Sequence, residues 1–335
     1  MSKAAVVTIS LLVIAALAFL WWSNVSGPAN SQDKSTHDFL VIRGQSLGQV
    51  AYNLEKQGLI KNRTAFKLFT QISGQAGKIQ PGEYALSPSY SLNNMMMALI
   101  SGPKEFWVTF PEGLRREEMA IKVIKTLGMD SDRAESFYSE FLSQTATKEG
   151  YLFPETYLFG KDVSVNIVVG KLVSTFDTKI TDQMRNDARK SSLTFPEFVT
   201  LASIVERETR TDEERATVAG ILLKRLDTKM PLQVDATLQY IAANKKCEVI
   251  YSRAQNCTWW IVPGPEDRAI KSAYNTYLNR GLPPQPIANP SLSSLRAVIY
   301  QQNSPYWFYL HDQNGNIHYA KTGAEHEENI NKFLR

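Results

Sequence analysis

The first hydrophobic segment of the chain is uninterrupted, whereas the later ones alternate with polar residues at helical or strand spacing. Residues 4–22 carry no charge, and at about 1.5 Å per residue they span roughly 28 Å, close to the hydrocarbon core of a bilayer. The only nearby positive charges precede the segment, and Trp21 and Trp22 occupy the place of an interfacial belt. The pattern predicts a transmembrane helix over 4–22, with residues 1–3 as a cytoplasmic tip. A cleaved signal peptide is the alternative, but the apolar stretch is long for one and no clean small-x-small cleavage site follows.

Residues 23–37 are polar and turn-rich, which predicts a linker. The next segment, 38–103, has strand-like and helical patterns in the order strand, helix, helix, strand, helix. That order and size predict a small α+β module. The predicted strands cover 39–42 and 80–86, and the predicted helices cover 46–57, 64–72 and 92–100.

The remainder, residues 104–335, has the pattern of a larger mixed α/β domain, so the whole chain is assigned to the α+β class with a single N-terminal transmembrane helix. Residues 241–270 and 273–290 lack a regular period and are expected to be irregular. Asn314-Gly315 between two alternating segments predicts a hairpin. The predicted strands are 105–110, 306–311 and 316–320, and the predicted helices are 115–127, 131–143, 163–188, 194–209, 212–227, 291–301 and 324–334.

Glu206 is the leading candidate for chemistry. Thr194 and Glu197 form a predicted capping box, and in the helix that follows Glu206 falls inside the apolar stripe. A carboxylate on a buried face is costly as an anion, so the pKa of Glu206 should rise, as a general acid requires. The alternative is a structural glutamate at the edge of the core, held by an arginine such as Arg210.

Other polar positions permit two interpretations each. In an extended stretch Gln233, Asp235 and Thr237 would face one side and could bind a sugar, or they could form an exposed strand edge. Asn275 and Tyr277 lie in a proline-rich loop, where an amide and an aromatic ring suit recognition of hydroxyl groups but also occur in packed loops.

Composition and motifs exclude several classes of function. The net charge is only +4, and no basic run with interleaved aromatic residues suggests nucleic acid. The sequence contains no phosphate-binding glycine loop, and its histidines cluster near the C-terminus, which gives little support to a Ser-His enzyme. The four histidines have no ligand spacing with Cys247 and Cys257, so neither a metal nor a cofactor is predicted. In an oxidising compartment these two cysteines could instead close a loop as a disulfide.

Carboxylates beside aromatic residues and amides remain, and they suit cleavage of a glycosidic bond. That reaction needs a protonated carboxyl group at the leaving oxygen, and hydrolysis usually adds a second carboxylate. A lytic transglycosylase does not need the second one, because the 6-hydroxyl of the sugar attacks its own anomeric carbon. Only Glu206 has the predicted buried position on a helix, which favours the intramolecular route.

Several motifs in this order resemble the endolytic murein transglycosylases of the MltG (YceG-like) family, and the resemblance covers nearly the whole chain. The segment 244–268, with Trp259 and Trp260, is longer than this resemblance leads one to expect and could alter the rim of the groove. The motifs are EGYLFPETY (149–157), LASIVERET (201–209), PLQVD (231–235), AYNTYL (273–278), GLPP (281–284) and PIANP (286–290).

The resemblance implies a bacterial inner-membrane enzyme with a cytoplasmic N-terminus and a periplasmic catalytic domain at 104–335. It implies cleavage of the MurNAc–GlcNAc β-1,4 bond within nascent peptidoglycan strands, which leaves a 1,6-anhydroMurNAc end and terminates elongation. The module at 38–103 would be LysM-like, penicillin-binding proteins would be partners, and Glu206 would be the catalytic residue. The candidate substrate contacts are Gln233, Asp235, Asn275, Tyr277, Glu149 and Tyr151.

Two other functions stay open. One is a hydrolytic muramidase that uses Glu206 together with Asp235. The other is a non-catalytic cell-wall scaffold built on the LysM-like module. Hydrolysis adds one water to the products, and a scaffold would bind glycan without forming any product.

Overall fold

The computed structural model describes residues 3–103, 105–191 and 193–334, with the backbone alone described for 3–7. Residues 1 and 2 of the expected cytoplasmic tip lie outside this part. The chain divides into two compact units. Unit 1 comprises the residues up to Trp107 together with Leu158–Asp162, and unit 2 comprises Val108–Tyr157 and the residues from Val163 onwards. The division therefore falls a few residues beyond the predicted boundary after residue 103 and returns 158–162 to unit 1.

Unit 1 contains the N-terminal helix and the small α+β module, and its predicted helices and strands are confirmed to within a few residues. Strands β1 and β2 pair antiparallel, with His37 opposite Leu86. Ser46 begins α2 with a capping box, because its hydroxyl accepts from the Gln49 N–H. The elements are α1 (Lys3–Val25), β1 (His37–Val41), α2 (Leu47–Lys56), α3 (Arg63–Ile72), a 3₁₀ turn (Ala76–Lys78), β2 (Gly82–Leu86) and α4 (Leu92–Ile100).

The N-terminal helix α1 is long and apolar enough over Thr8–Val25 to cross a membrane, by length and composition alone. The helix continues to Val25, three residues beyond the predicted end. The Val25 side chain is buried in the core of unit 1, and the carbonyl of Ser26 accepts a 2.9 Å hydrogen bond from the Leu92 N–H. The first residues of the expected linker 23–37 are therefore helical and packed against the module.

Two strands contain the boundary between the units: β3 (Glu105–Thr109) and β4 (Thr156–Gly160). They complete a four-stranded sheet of order β1-β2-β3-β4. A separate antiparallel hairpin of β5 (Phe308–His311) and β6 (Ile317–Ala320) confirms the prediction from Asn314-Gly315. The helices of unit 2 are α5 (Arg116–Leu127), α6 (Ser131–Gln144), α7 (Val165–Lys179), α8 (Asp182–Ala188), α9 (Phe195–Glu208), α10 (Asp212–Asp227), α11 (Asp235–Lys246), α12 (Tyr251–Ala254), α13 (Leu292–Ile299) and α14 (Gly323–Phe333), with a 3₁₀ helix at Pro265–Ala269.

Helix α9 is the centre of unit 2 and contacts α8, α10, α11 and α13. The Thr194 hydroxyl and the Glu197 carboxylate form the predicted capping box at its start. Eight consecutive residues from Phe198 to Val205 are buried, so this helix is covered by protein on more than one face. The packing of α9 therefore holds its C-terminal end, where Glu208 lies, in place.

Two expectations for unit 2 are wrong. The single helix predicted over 163–188 is two helices, because Thr181 begins α8 by accepting from the Met184 N–H. Residues 235–246 form helix α11 rather than an extended and then irregular stretch. Its buried residues recur at helical spacing, and Asp235 at its start interacts favourably with the helix dipole. The buried set is Ala236, Thr237, Leu238, Tyr240, Ile241, Ala242 and Ala243.

Cys247 and Cys257 form a disulfide bond, with their Cα atoms 5.7 Å apart. The bond joins the end of α11 to the segment after α12. The adjacent Trp259 is buried, and the Arg115 guanidinium lies 4.7 Å from the centre of its ring. The segment that departs from the family pattern is therefore tied to the body of unit 2.

Candidate active site

A polar cavity of about 650 Å³ opens at the C-terminal end of α9. Several parts of unit 2 meet there: the last residue of α9, α10, the start of α11, the 3₁₀ helix, the loop with Tyr277, and the β5–β6 hairpin with α14. The walls combine carboxylates, guanidinium groups and aromatic rings. The lining residues are Glu208, Arg225, Gln233, Asp235, Arg268, Tyr277, Phe308, Tyr309, Leu310, His311, His326, Ile330 and Leu334.

Glu208 is the carboxylate that enters this cavity from α9. Its Oε1 accepts a 3.1 Å hydrogen bond from the Ala236 N–H, and its Oε2 accepts a 2.9 Å hydrogen bond from the Tyr309 hydroxyl. Burial raises the pKa of Glu208 above its ordinary value, and the nearby charge of Asp235 acts in the same direction. The two hydrogen bonds and Arg207 oppose this rise in pKa. The net effect favours the protonated acid.

Asp235 and Tyr277 form a second polar pair in the cavity. The Tyr277 hydroxyl donates a 2.6 Å hydrogen bond to Asp235 Oδ1. Burial, and then this hydrogen bond, raise the pKa of Tyr277 above its ordinary value, so the phenol stays a donor. The Arg268 guanidinium lies 5.1 Å from the centre of the Tyr277 ring.

The motifs at 231–235 and 273–278 are joined by direct hydrogen bonds. The Gln233 N–H donates to the Thr276 carbonyl at 3.2 Å, and the Val234 N–H donates to the Thr276 hydroxyl at 3.1 Å. Gln233 adopts a left-handed conformation with φ of 51°. This turn places its side chain in the cavity wall. The two motifs therefore build one wall together.

The expected row of Gln233, Asp235 and Thr237 on one side of a strand is wrong. Helix α11 begins at Asp235, and Thr237 is fully buried, donating to the Val234 carbonyl at 2.9 Å. Gln233 and Asp235 still reach the cavity because the turn before α11 directs both of them there.

Asn275 has a structural place in this region. Its side-chain Nδ2 donates to the carbonyls of Arg268 at 3.0 Å and Ile270 at 2.8 Å, and its Oδ1 accepts from the Tyr277 N–H at 3.0 Å. The residue is fully buried and is not among those lining the cavity. It holds the loop that presents Tyr277 and Arg268.

Glu206 lies outside the cavity, although only 6% of its side chain is exposed. Its Oε1 accepts from Arg215 at 3.1 Å. Its Oε2 accepts from the Ser291 N–H at 2.8 Å, the Ser291 hydroxyl at 2.5 Å and the Ser294 hydroxyl at 2.8 Å. Four donors with an arginine among them stabilise the carboxylate anion. The arginine that contacts Glu206 is Arg215 rather than Arg210.

Glu149 and Tyr151 also lie away from the cavity. Both oxygens of Glu149 accept from the Arg116 N–H at the start of α5, at 3.1 and 3.3 Å, and Oε1 also accepts from Asn289 at 2.7 Å. Burial, with the nearby charge of Glu117, raises the pKa of Glu149 to about 8. The Tyr151 ring packs 5.0 Å from Phe176. Glu149 therefore joins the start of α5 to the loop that contains Asn289, and Tyr151 packs against α7.

Across the described ranges, no group of three or more His, Cys, Asp or Glu side chains could hold a metal ion. The side chains of the cavity include one carboxyl group with a raised pKa, one carboxyl group bound by a phenol, two guanidinium groups and several aromatic rings. Such a site can donate a proton to an oxygen atom of a bound sugar and can hydrogen-bond to its hydroxyl and amide groups.

Four residues that line the cavity are not among the candidates from the sequence: Glu208, Arg225, Arg268 and Tyr309. Glu208 stands two residues after Glu206 in the same motif, and the search for an apolar stripe favoured the residue inside the stripe. A position inside the apolar stripe indicates a carboxylate packed against the core. A carboxylate at the end of a helix can border a cavity without lying in that stripe. The available signal was the position of Glu208 in the last turn of the predicted helix.

The sequence profile of the YceG-like family matches residues 39–332. An endolytic murein transglycosylase of Bacillus subtilis strain 168 is 28% identical over 340 residues, which cover 95% of this chain and 90% of that protein. The endolytic murein transglycosylase of Streptococcus pneumoniae strain D39 is 27% identical over 337 residues, and the match covers 90% of this chain but 59% of the streptococcal protein. The crystal structure of a YceG-like protein from Listeria monocytogenes has the same fold, with a TM-score of 0.60 at 24% identity over 88% of this chain and 99% of that one.

Proposed function

The chain belongs to the YceG-like family, and from that premise we propose that it is an endolytic murein transglycosylase, a lyase that cuts peptidoglycan glycan strands. Two relatives that align with 95% and 90% of this chain carry that name. The observation that carries the proposal is the partly buried Glu208, whose pKa is raised, in the wall of a polar cavity. A protonated carboxyl group at a sugar-sized site is what cleavage of a glycosidic bond requires.

Glu208 is the proposed general acid. The motif at 201–209 contains two candidates, and the sequence favoured Glu206. Glu206 is bound by four donors and lies outside the cavity, whereas Glu208 has two donors and lines it. Geometry therefore favours Glu208, and the assignment of Glu206 remains the competing prediction.

In the proposed reaction Glu208 transfers its proton to the glycosidic oxygen between MurNAc and GlcNAc. The C1–O bond breaks as the 6-hydroxyl of the same MurNAc forms a new bond to C1. The Glu208 carboxylate then accepts the hydroxyl proton, so the residue returns to its starting state and no water is consumed. The products are a 1,6-anhydroMurNAc end, which cannot be extended, and a free 4-hydroxyl on GlcNAc.

Binding and orientation fall to the other residues of the cavity. Gln233 offers an amide to sugar hydroxyl and acetamido groups, and the Tyr309 hydroxyl orients the carboxyl group of Glu208. Phe308 offers an aromatic surface for a sugar ring. Of the candidate contacts from the sequence, Gln233, Asp235 and Tyr277 are retained in this proposal.

Asp235 supports a second candidate function, a hydrolytic muramidase, because it lines the same cavity as Glu208. A hydrolase would use this carboxylate to activate water or to attack C1. Asp235 Oδ1 already accepts a hydrogen bond from the Tyr277 hydroxyl. The second oxygen, Oδ2, would then act on the water or on C1. The mass of the products separates the two reactions.

The proposal includes a location. Helix α1 would anchor the chain in the bacterial inner membrane, with a cytoplasmic N-terminus and a periplasmic catalytic domain. The disulfide suits that oxidising compartment. The module at 38–103 would be LysM-like and would bind glycan, and the penicillin-binding proteins that supply nascent strands would be partners.

The test is digestion of nascent, uncrosslinked glycan by the purified full-length protein, with the products read by mass. We expect the product masses to sum to that of the substrate, with anhydro ends. Glu208→Gln should abolish cleavage, whereas Glu206→Gln should retain it with a lower melting temperature, since it weakens contacts among α9, α10 and α13. Products heavier by one water would establish the hydrolase instead. Full activity of Glu208→Gln would refute the proposed acid.

A further inference from the structure

Helix α3 of unit 1 carries an apolar surface wider than the part its module buries. Phe66 and Thr70 face the module core, and Ala65 is also buried. Leu68 and Ile72 extend the apolar surface beyond that core and are 46% and 85% exposed. Residues four apart lie on one face of a helix, so these two aliphatic side chains form a single exposed patch.

The neighbour of this patch is the N-terminal helix. Phe69 lies between the patch and the module core, about 60° around the helix from Ile72 at 100° per residue. Its ring packs on Trp22 of α1, with the ring centres 5.7 Å apart. Trp22 stands at the end of the apolar segment, where an interfacial aromatic residue belongs. The exposed patch therefore lies beside the proposed membrane-water boundary.

The direction of α3 supports the same placement. Just before α3 begins, Lys61 Nζ donates a 3.0 Å hydrogen bond to the Asn24 carbonyl. Towards the end of α3, Phe69 contacts Trp22, two residues nearer the apolar segment. These two contacts place the later turns of α3 slightly nearer the apolar segment than its start, and Ile72 is on its last turn.

The charge of α3 fits a lipid surface as well. The helix contains Arg63 and Lys67 and no acidic residue. Lys67 lies on the polar face, about 140° around the helix from Ile72. An apolar face beside basic side chains is the pattern of a helix that lies in the interface of an anionic membrane.

We propose that the last turns of α3 insert into the membrane interface next to α1, with Leu68 and Ile72 among the lipid headgroups and upper acyl chains. The module would then lie on the membrane surface as a second contact point. This inference rests on the proposed role of α1 as a membrane anchor. It concerns a lipid surface and does not depend on the chemistry assigned to Glu208.

The test uses spin labels on the full-length protein in nanodiscs containing anionic phospholipid. The described residues contain no free cysteine, so a single cysteine introduced by Ile72→Cys or Leu68→Cys can be labelled with the disulfide intact. Lys67→Cys, on the polar face of the same helix, is the matched control. Leu12→Cys, within α1, reports whether the anchor itself is in lipid. Thermal melting checks that each labelled variant is folded.

Labels at 68 and 72 should collide several-fold more with oxygen, relative to a water-soluble nickel chelate, than the label at 67. Their depth should be about 5–10 Å below the headgroup boundary. Equal accessibility at 72 and 67 would overturn the proposal, because the patch would then face water. Low accessibility to both reagents at 72 would also overturn it, since protein would cover the patch. If the label at Leu12 is outside lipid, the anchor and this inference fail together, while the cleavage assay for Glu208 is unaffected.

Discussion

Removal of the Tyr309 hydroxyl should move the pH dependence of glycan cleavage to higher pH. That hydroxyl donates to Glu208 Oε2 at 2.9 Å, in a site where Glu208 is partly buried. The hydrogen bond stabilises the carboxylate form and so lowers the pKa of Glu208. Tyr309→Phe keeps the ring and removes this donor, which allows the pKa of Glu208 to rise further.

A hydrogen bond to a charged group contributes about 1.5–3 kcal/mol, and one pKa unit corresponds to about 1.4 kcal/mol. The pKa of Glu208 should therefore rise in Tyr309→Phe by the equivalent of this free energy. A general acid works only while it is protonated, so activity is lost as pH rises through this pKa. The high-pH limb of kcat/KM should move up by a comparable amount.

A second substitution should move the same limb in the opposite direction. The charge of Asp235 raises the pKa of Glu208, so Asp235→Asn should lower it and shift the limb to lower pH. Tyr319→Phe is the matched control, because Tyr319 is directly opposite Tyr309 in the hairpin but does not line the cavity. It should leave the limb in place.

The assay is the initial rate of glycan cleavage over a range of pH, with substrate well below KM. An unchanged limb in both Tyr309→Phe and Asp235→Asn would refute the reasoning, since the titrating acid would then be a group that neither residue contacts. Glu206 is such a group, so that result would favour the original prediction from the sequence.

Three further predictions concern stability. Burial raises the pKa of Glu149 from 4.5 to about 8, so the fold is more stable while Glu149 is protonated, and this stability is lost as pH rises from about 4.5 through about 8. Glu149→Gln should therefore flatten this part of the profile of melting temperature against pH. A profile unchanged by the substitution would contradict this prediction. Gly220→Ala should lower the melting temperature although alanine favours helix by about 1 kcal/mol, because the new Cβ would lie 2.0 Å from the Gln302 carbonyl oxygen; Gly170→Ala, in open space within α7, should raise it. Reduction of the disulfide, which closes a ten-residue separation, should cost about 2–3 kcal/mol of unfolding free energy, measured by chemical denaturation with and without reductant; equal stability would refute that estimate.

Local signals in the sequence were sufficient for most elements. Capping boxes at Ser46 and Thr194 give the starts of α2 and α9, and Asn314-Gly315 gives the hairpin. These features depend on residues a few positions apart, so single-sequence reasoning can find them. Two features that were not predicted also have local signals in the sequence. Apolar residues recur at helical spacing in α11, and Thr181 is a capping residue at the start of α8.

The cavity could not be found in this way because it is made by contacts between distant segments. Glu208 meets Ala236, 28 residues away, and Tyr309, 101 residues away. A buried position on a helix distinguishes core from solvent but does not distinguish a glutamate bound by Arg215 from one that borders a cavity. The family was therefore identified correctly by resemblance, whereas the choice between the two glutamates of the motif is a proposal that rests on the tertiary structure.

The most direct test of the central claim is an isotope-edited infrared titration of the carboxyl group of Glu208, taken as the difference between the wild-type protein and Glu208→Gln. We predict that the carboxyl band titrates with an apparent pKa above the ordinary value of 4.5, so that a protonated acid is present when glycan binds. A band that titrates at or below that value would contradict the assignment of Glu208 as the proton donor.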